Sequence, residues 1–173
     1  MKKTLCYCPT LYHHDKGMWP PTISSTSYFL WQWNLWNIFQ ELKGWKVLWN
    51  GGQPNSNLYD PISKWRSPVV KYTRMRIHDA LKNCDMVLVD VPSTIMWDAR
   101  KEGKSCLCLV FEKKWIREDV LKNERIWIEF SSTAEVESFL ERALRIHGTR
   151  ALSKDKKDLF IINRNDWLKE ITG

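Results

Sequence analysis

The chain has 173 residues, of which 43% are hydrophobic and 27% are charged, and its formal net charge is +7. This length fits one domain with a sizeable core, and no apolar run approaches the roughly 18 residues that a membrane span needs. The positive charge predicts affinity for anions, such as a nucleic acid, an anionic membrane surface or a phosphorylated substrate, but no recognised nucleic-acid motif is present. The first residues lead directly into a strand-like run and not into a signal peptide, which predicts a cytoplasmic protein.

Strand-like and helix-like segments alternate along the chain, because apolar runs are separated by residues that begin or end helices. In the first half the predicted elements are, in chain order, strand 4–8, a helix from 24 or 25 to about 42, strand 45–49, strand 68–72 and helix 73–83. In the second half they are a central strand before Pro92, helix 93–103, strand 105–111, a small helix 117–123, strand 126–130, a helix opened by a capping box at 132–135, and a last helix near 166–171.

The middle strands are apolar on both faces, which is typical of a parallel sheet covered on both sides. We therefore predict an α/β fold, a Rossmann-like parallel sheet with helices on both faces that forms a single domain. Residues 1–150 would form this Rossmann-like domain, and residues 151–173 a charged linker and C-terminal helix. Ligands of such sheets bind at the carboxyl ends of the strands, where Thr10, Asn50 and residues 92–94 lie.

The segment from Asn83 to Asp98 has the most informative pattern in the chain. A continuous apolar strand ends in the turn Pro92-Ser93-Thr94, from which a helix departs. Backbone N–H groups and the positive end of the dipole at such a helix start form an anion-binding crevice. Asp98 can reach a sugar hydroxyl beside a bound phosphate. The layout predicts a nucleotide or nucleotide-linked donor, although a helix cap at Ser93 and a dipole partner at Asp98 would explain both residues without a ligand.

The five cysteines are an odd number, which favours reduced thiols over a disulfide framework. Cys6 with Cys8 and Cys106 with Cys108 form C-x-C pairs inside strand-like runs, whereas closed zinc sites usually have wider spacing on loops. We interpret these cysteines as core residues and predict no metal site. The chain also contains no glycine-rich dinucleotide motif, Walker A loop or serine triad.

The helix after Ser25 has two apolar stripes, whereas a surface helix usually has one. The first stripe consists of Tyr28, Trp31, Leu35, Ile38, Phe39 and Leu42, and the second of Phe29, Trp33 and Trp36. The chain also has 11 Trp, many more than an average domain of this size. We therefore predict that this helix docks against another domain or subunit through Trp31, Trp33 and Trp36.

Three segments resemble those of CDP-glycerol glycerophosphotransferases and related surface-carbohydrate transferases. Residues 4–10 resemble the LYAPT strand and loop of these families, residues 85–98 resemble their DVLITDYSSxxxD segment, and residues 99–105 resemble their xxLxGKP segment. The families have the GT-B glycosyltransferase architecture, which consists of two Rossmann-like halves. The second half binds most of the donor. The resemblance covers roughly residues 4 to 145 and implies that this chain corresponds to the donor-binding half.

The resemblance also implies roles for individual residues. Ser93 and Thr94 would contact the phosphates of a nucleotide-activated sugar or polyol, which is a substrate and not a cofactor, in the turn that begins with Pro92. Asp98 would bind the ribose or sugar hydroxyls, and Thr10 would line the phosphate crevice. The family's first half, which usually supplies the acceptor site and the catalytic base, has no counterpart here, so a partner domain or subunit is implied.

The chain departs from the family pattern at three places. Tyr12 stands where the family often has Arg, Gln53-Pro54 stands where it commonly has His-Pro, and Ser105 stands where it usually has Pro. These departures concern residues around the phosphate crevice. They bear on whether this chain keeps the phosphate chemistry that the resemblance implies.

Two other interpretations of the sequence are open. A small nucleoside-processing enzyme, of the deoxyribosyltransferase or hydrolase kind, would use Asp90 or Asp98 as an acidic nucleophile. A non-catalytic interaction domain would use the tryptophan-rich helix as its docking face. The pairs His13-His14 and Lys113-Lys114 follow strand ends and could contact a phosphate, but such pairs are more often ordinary surface residues.

Overall fold

The computed structural model describes residues 2–10, 25–52, 54, 60–110, 127–130, 132–147 and 159–162. Within these ranges, no helix combines the length and the hydropathy that crossing a membrane requires. The chain consists of two compact units, Met1–Val87 and Leu88–Gly173.

Unit 1 contains three parallel strands in the order β3-β2-β1. Val47 at the centre of β2 pairs with Leu5 of β1 on one side and with Val70 of β3 on the other. The elements of this unit are β1 (Lys3–Cys8), α1 (Ser25–Glu41), β2 (Trp45–Asn50), a 3-10 helix (Pro61–Lys64), β3 (Val70–Thr73), α2 (Ile77–Lys82) and the first residues of β4 (Met86–Val89).

The core of unit 1 is built on aromatic side chains from β1, β2 and α1. Tyr7 and Trp49 are fully buried, and their ring centroids lie 4.7 Å apart with an interplanar angle of 88°. Phe39 of α1 packs edge-on against both rings, at 5.5 and 6.0 Å. Edge-to-face pairs of this kind contribute about 0.5–1.5 kcal/mol beyond the area that they bury. The first apolar stripe of α1 is therefore a core face, as its spacing predicts.

Unit 2 contains a second set of parallel strands, in the order β5-β7-β6. Its helices are amphipathic, and the last of them buries Val136, Leu140 and Leu144. The elements of this unit, after the last residues of β4, are α3 (Thr94–Lys101), β5 (Ser105–Val110), β6 (Trp127–Phe130), α4 (Thr133–His147) and β7 (Leu159–Ile162).

The predicted α/β class is confirmed, since strands and helices alternate and the paired strands of both units are parallel. One difference concerns the segment that the sequence analysis assigns to a charged linker. Leu159–Ile162, within residues 151–173, forms β7 between β5 and β6, because its four consecutive apolar residues suit a strand with neighbours on both sides. The domain boundary at residue 150 stays a prediction, and the predicted helices 117–123 and 166–171 lie outside the described residues.

Candidate functional site

The turn between β4 and α3 holds three of the predicted donor-binding residues. Asp90, the first residue after β4, is 2% exposed, whereas Pro92 and Ser93 are half-buried. Ser93 is the N-cap of α3 and has an extended backbone, with φ −143° and ψ 170°. Its carbonyl accepts a hydrogen bond from the N–H of Met96 at 3.1 Å. The helix therefore begins directly at the predicted turn, and its first N–H groups follow Ser93 in the chain.

Ser93 occupies a cap position without capping the helix through its hydroxyl. Among the described residues its side chain makes no hydrogen bond to the first turn of α3. By contrast, Ser132 at the start of α4 caps its helix, since its Oγ accepts a hydrogen bond from the N–H of Glu135 at 3.2 Å. A structural capping role therefore does not account for Ser93.

This difference predicts that the same substitution has a larger effect at Ser132 than at Ser93, the two serines being in unit 2. We expect Ser132→Ala to lower the free energy of unfolding by about 1 kcal/mol, because it removes a cap. Ser93→Ala should change it by less than about 0.5 kcal/mol. Urea unfolding of the two variants, followed by circular dichroism, measures both. A loss at Ser93 as large as the loss at Ser132 would show that the hydroxyl stabilises the helix after all.

Thr94, Trp97 and Asp98 project from the same side of α3, because they are spaced three and four residues apart. Thr94 is exposed, Asp98 is half-buried, and Trp97 is 60% exposed. The guanidinium carbon of Arg100 lies 5.6 Å from the Trp97 ring centroid, within the range of a cation–π contact. A hydroxyl, a carboxylate and an open aromatic ring thus occur side by side. Trp97 was not among the predicted site residues, although its position three residues after Thr94 places it on the same side of a helix.

Thr10 lies in unit 1, where the chain leaves β1. Its carbonyl accepts a hydrogen bond from the Tyr28 hydroxyl of α1 at 2.8 Å, which fixes the backbone just beyond the strand. The structure therefore brings Ser93, Thr94 and Asp98 together on α3 and fixes Thr10 at the end of β1. Several residues that the sequence analysis considered lie outside the described part of the chain, namely Tyr12, His13, His14, Gln53, Lys113 and Lys114.

The carboxyl ends of β2 and β3 carry a polar network that the sequence analysis did not predict. Asn50, 6% exposed, binds both backbone groups of Met75, since its Oδ1 accepts from the N–H at 2.8 Å and its Nδ2 donates to the carbonyl at 3.1 Å. The N–H of Gly51 donates to the carbonyl of Thr73 at 2.9 Å. These bonds fix the segment after β3 against the end of β2.

Asp60, which is 6% exposed, lies at the centre of a second network of hydrogen bonds that reaches the end of β3. Its Oδ1 accepts from the N–H of Ile62 at 2.9 Å and its Oδ2 from the Tyr72 hydroxyl at 3.1 Å. The Nε of Arg74 donates to the same hydroxyl at 3.1 Å. Burial raises the pKa of Asp60 although the bonds from Ile62 and Tyr72 and the charge of Arg74 lower it, and burial also raises the pKa of Tyr72. The network places the half-buried Arg74 just beyond the carboxyl end of β3, and ligands of α/β proteins bind at the carboxyl ends of the strands.

Only part of this network had a signal in the sequence. Asp60 before Pro61 has the pattern of a residue that caps a helical turn, and it does cap the 3-10 helix. The pairing of Asp60 with Tyr72 joins residues twelve positions apart across an irregular segment. The periodicity of the local sequence does not predict such a contact.

Four of the five cysteines have the core positions that the sequence predicts, whereas Cys106 is half-buried. Cys6, Cys8, Cys84 and Cys108 are buried, and all five cysteines are free thiols. The sulfur atoms of Cys6 and Cys8 lie 3.7 Å apart. Hydrogen bonding with Cys8 and Cys84, together with burial, raises the pKa of Cys6 far above the ordinary thiol range. Among the described residues, no three His, Cys, Asp or Glu side chains are arranged to hold a metal ion.

The aromatic side chains of α1 differ in how much surface they offer to a partner. Trp31 is fully buried and Trp36 is 4% exposed, because both pack into unit 1, whereas Trp33 is 45% exposed. Of the three residues predicted for docking, only Trp33 has a large accessible surface. The predicted partner domain itself stays a prediction.

Comparison with known proteins finds similarity to solved structures only. No protein family and no curated protein matches the sequence. A solved structure described as the glycotransferase of kitacinnamycin is similar to this chain with a TM-score of 0.38 and 14% identity, covering 83% of this chain and 40% of that one. The chain thus spans about two fifths of that protein's length. A similarity at this level does not establish a shared fold or activity.

Proposed function

We propose that this chain is the donor-binding part of a glycosyltransferase-like or glycerophosphotransferase-like enzyme, and that it binds a nucleotide-activated sugar or polyol at the start of α3. The main support is the helix start itself. A serine occupies the cap position with its hydroxyl unused for capping, and a hydroxyl, an aromatic ring and a carboxylate follow on one side of the helix.

Each group at this helix start has a role in the proposal. The donor diphosphate lies at the positive end of α3 and accepts hydrogen bonds from backbone N–H groups and from the hydroxyls of Ser93 and Thr94. The Asp98 carboxylate accepts hydrogen bonds from the ribose or sugar hydroxyls, and the exposed ring of Trp97 can stack on a flat base. The same donors stabilise the negative charge that develops on the leaving diphosphate during transfer.

The proposal extends to the context of the reaction. The enzyme would act in the synthesis of a surface polysaccharide or polymer, and a partner domain or subunit would supply the acceptor site and the catalytic base. Thr10 would line the phosphate crevice, as the family resemblance implies. In the alternative of a nucleoside-processing enzyme, Asp90 is too buried to reach a substrate, since it is 2% exposed, and the half-buried Asp98 would have to be the nucleophile.

Thermal unfolding in the presence of nucleotides tests the proposal. We expect one of CDP, UDP, GDP or ADP, or its sugar or glycerol conjugate, to raise the Tm of the purified chain. A ligand at about 100 times its Kd stabilises the folded state by about 2.7 kcal/mol, which shifts the Tm of a domain of this size by several degrees. The shift should be lost in the Ser93→Ala and Asp98→Ala variants.

The design includes a matched control within unit 2. Ser132→Ala removes a hydroxyl from another helix cap and should leave the nucleotide-induced shift of Tm unchanged relative to its own ligand-free value. A Tm that no nucleotide raises in well-folded protein would contradict the proposal for this chain. A shift that persists in both Ser93→Ala and Asp98→Ala would place the nucleotide elsewhere.

A further inference from the structure

Unit 1 has an open cavity of about 1040 Å³ that contains none of the predicted donor-binding residues. Its floor includes neighbouring residues of β1, β2 and β3, since Thr4 pairs with Lys46 and Leu48 pairs with Lys71. Its rim is formed by Ser63 and residues 65–69, which precede β3, and by Met75 and Asn83. The cavity therefore lies over the sheet of unit 1 and is built by a single unit.

The charged side chains that line this cavity are all positive. Lys46, Arg66 and Lys71 line it and are exposed, and none of the described lining residues is Asp or Glu. Arg66 is held in place at the rim, because its Nη1 donates to the carbonyl of Ser63 at 3.0 Å and to that of Trp65 at 2.9 Å. Three cations around one concave surface focus a positive potential that attracts an anion.

Two acidic side chains contact lining residues, because Asp85 adjoins Thr4 and Asp60 accepts a hydrogen bond from the Tyr72 hydroxyl. Asp85 adjoins Thr4 at the start of β1, and its Oδ2 accepts a hydrogen bond from the N–H of Thr4 at 2.7 Å. The backbone N–H of Asp85 in turn donates to the carbonyl of Thr4 at 2.8 Å. Neither Asp85 nor Asp60 is one of the lining residues, and the three lining cations outnumber these two adjacent acids.

The same cavity also has an apolar part, and one of its rings is fixed. Trp65 packs edge-on against three rings of α1, with centroid distances of 4.8 Å to Trp33, 5.2 Å to Trp36 and 5.7 Å to Phe29. The half-buried Leu48 adds aliphatic surface to the lining. These ring contacts place Trp65 on the α1 side of the sheet, whereas Leu48 lies on the opposite face together with Lys46 and Lys71.

We propose that this cavity is a second ligand site and that it binds an amphipathic organic phosphate. The phosphate contacts Lys46 and Lys71, and the apolar body of the ligand packs on Leu48, which lies beside both lysines on the same face of the sheet. A cavity of about 1040 Å³ is far larger than inorganic phosphate and is of the size that holds a drug-sized molecule. The site involves neither α3 nor Asp98, so it stands independently of the proposed donor site.

Calorimetric titration of the purified chain with three probes tests this inference. The probes are 1-naphthyl phosphate, octyl phosphate and inorganic phosphate, and amide chemical shifts of Lys46, Leu48 and Lys71 report where each one binds. We expect at least one organic phosphate to bind and to change the amide chemical shifts of these three residues. Inorganic phosphate should bind at least about tenfold more weakly, since it lacks the apolar body. Which organic phosphate binds more tightly distinguishes an aromatic body from an aliphatic one.

A pair of double variants with equal charge provides the control. Lys46→Gln with Lys71→Gln should weaken binding about tenfold, as expected when two exposed ion pairs are lost. Lys43→Gln with Lys82→Gln removes two exposed lysines that do not line the cavity. At the same ionic strength, this double variant should bind the organic phosphate with an affinity within about twofold of that of the natural protein. The inference is overturned if neither organic phosphate binds, if both double variants weaken binding equally, or if inorganic phosphate binds as tightly as the organic probes.

Discussion

Replacing Gly51 with alanine is expected to lower the free energy of unfolding by about 3 kcal/mol, because the new side chain would overlap a ring that cannot move away. A Cβ built on Gly51 would lie 2.6 Å from the Cε2 and Cζ atoms of Tyr72. Asp60 and Arg74 both bind the hydroxyl of that ring, and the N–H of Gly51 is bonded to Thr73. Neither the ring nor the backbone can shift without breaking a hydrogen bond.

Urea unfolding measures this loss, and two further variants separate its causes. Gly44→Ala places a side chain where nothing lies within 4 Å, at φ +80°, so only backbone strain of about 1 kcal/mol is expected. Tyr72→Ala removes the overlapping ring, so Gly51→Ala should cost much less in that background than in the natural sequence. Equal costs of Gly51→Ala in the two backgrounds would rule out the overlap as the cause.

The general course of the chain could be predicted from sequence because its elements are locally encoded. The spacing of Trp31, Leu35 and Phe39 places them on one helical face, and that face is buried. The apolar run before Pro92 forms β4, and α3 starts at the residue that the turn indicates. In each case neighbouring residues carry the whole pattern, so no distant contact was needed to recognise it.

The errors in the prediction occur where distant residues decide the structure. The predicted helix 73–83 begins only at Ile77, because Asn50 holds the backbone of Met75 in the segment that follows β3. Leu159–Ile162 forms a strand because β5 and β6 pair with it from both sides. Neither the bonds between Asn50 and Met75 nor the pairing of β7 with its neighbours can be predicted from the hydrophobic periodicity of a short sequence segment.

The candidate site shows the same division. Ser93, Thr94 and Asp98 could be selected from sequence because one strand end and one helix start bring them together. Asp60, Tyr72 and Arg74 could not, since their hydrogen bonds join an irregular segment to the end of β3. Polar groups of this kind are recognised only when burial and hydrogen-bond partners are known.

Replacing Asp60 with alanine is expected to lower the free energy of unfolding by about 2–3 kcal/mol, because it leaves one buried and one partly buried donor without their acceptor. These donors are the N–H of Ile62, in the 3-10 helix, and the hydroxyl of Tyr72, in β3. Unfolding in urea at about pH 7 measures the loss. Asp79→Ala, at an exposed acid of α2, is the control and should change stability by less than about 0.5 kcal/mol.

The ionisation of Asp60 should also give the protein a specific pH dependence, which Asp60→Asn removes. Burial raises the native pKa of Asp60 above its ordinary value of 3.8, so the folded protein binds this proton more tightly than the unfolded chain does. The stabilisation is therefore complete below that ordinary value and is lost as the pH rises through the raised native pKa. Asparagine does not titrate. The free energy of unfolding of the natural protein minus that of Asp60→Asn should therefore be more positive at about pH 4 than at about pH 7. A difference that grows towards neutral pH would mean that the hydrogen bonds from Ile62 and Tyr72 outweigh burial and that the carboxylate is the favoured form in the folded protein.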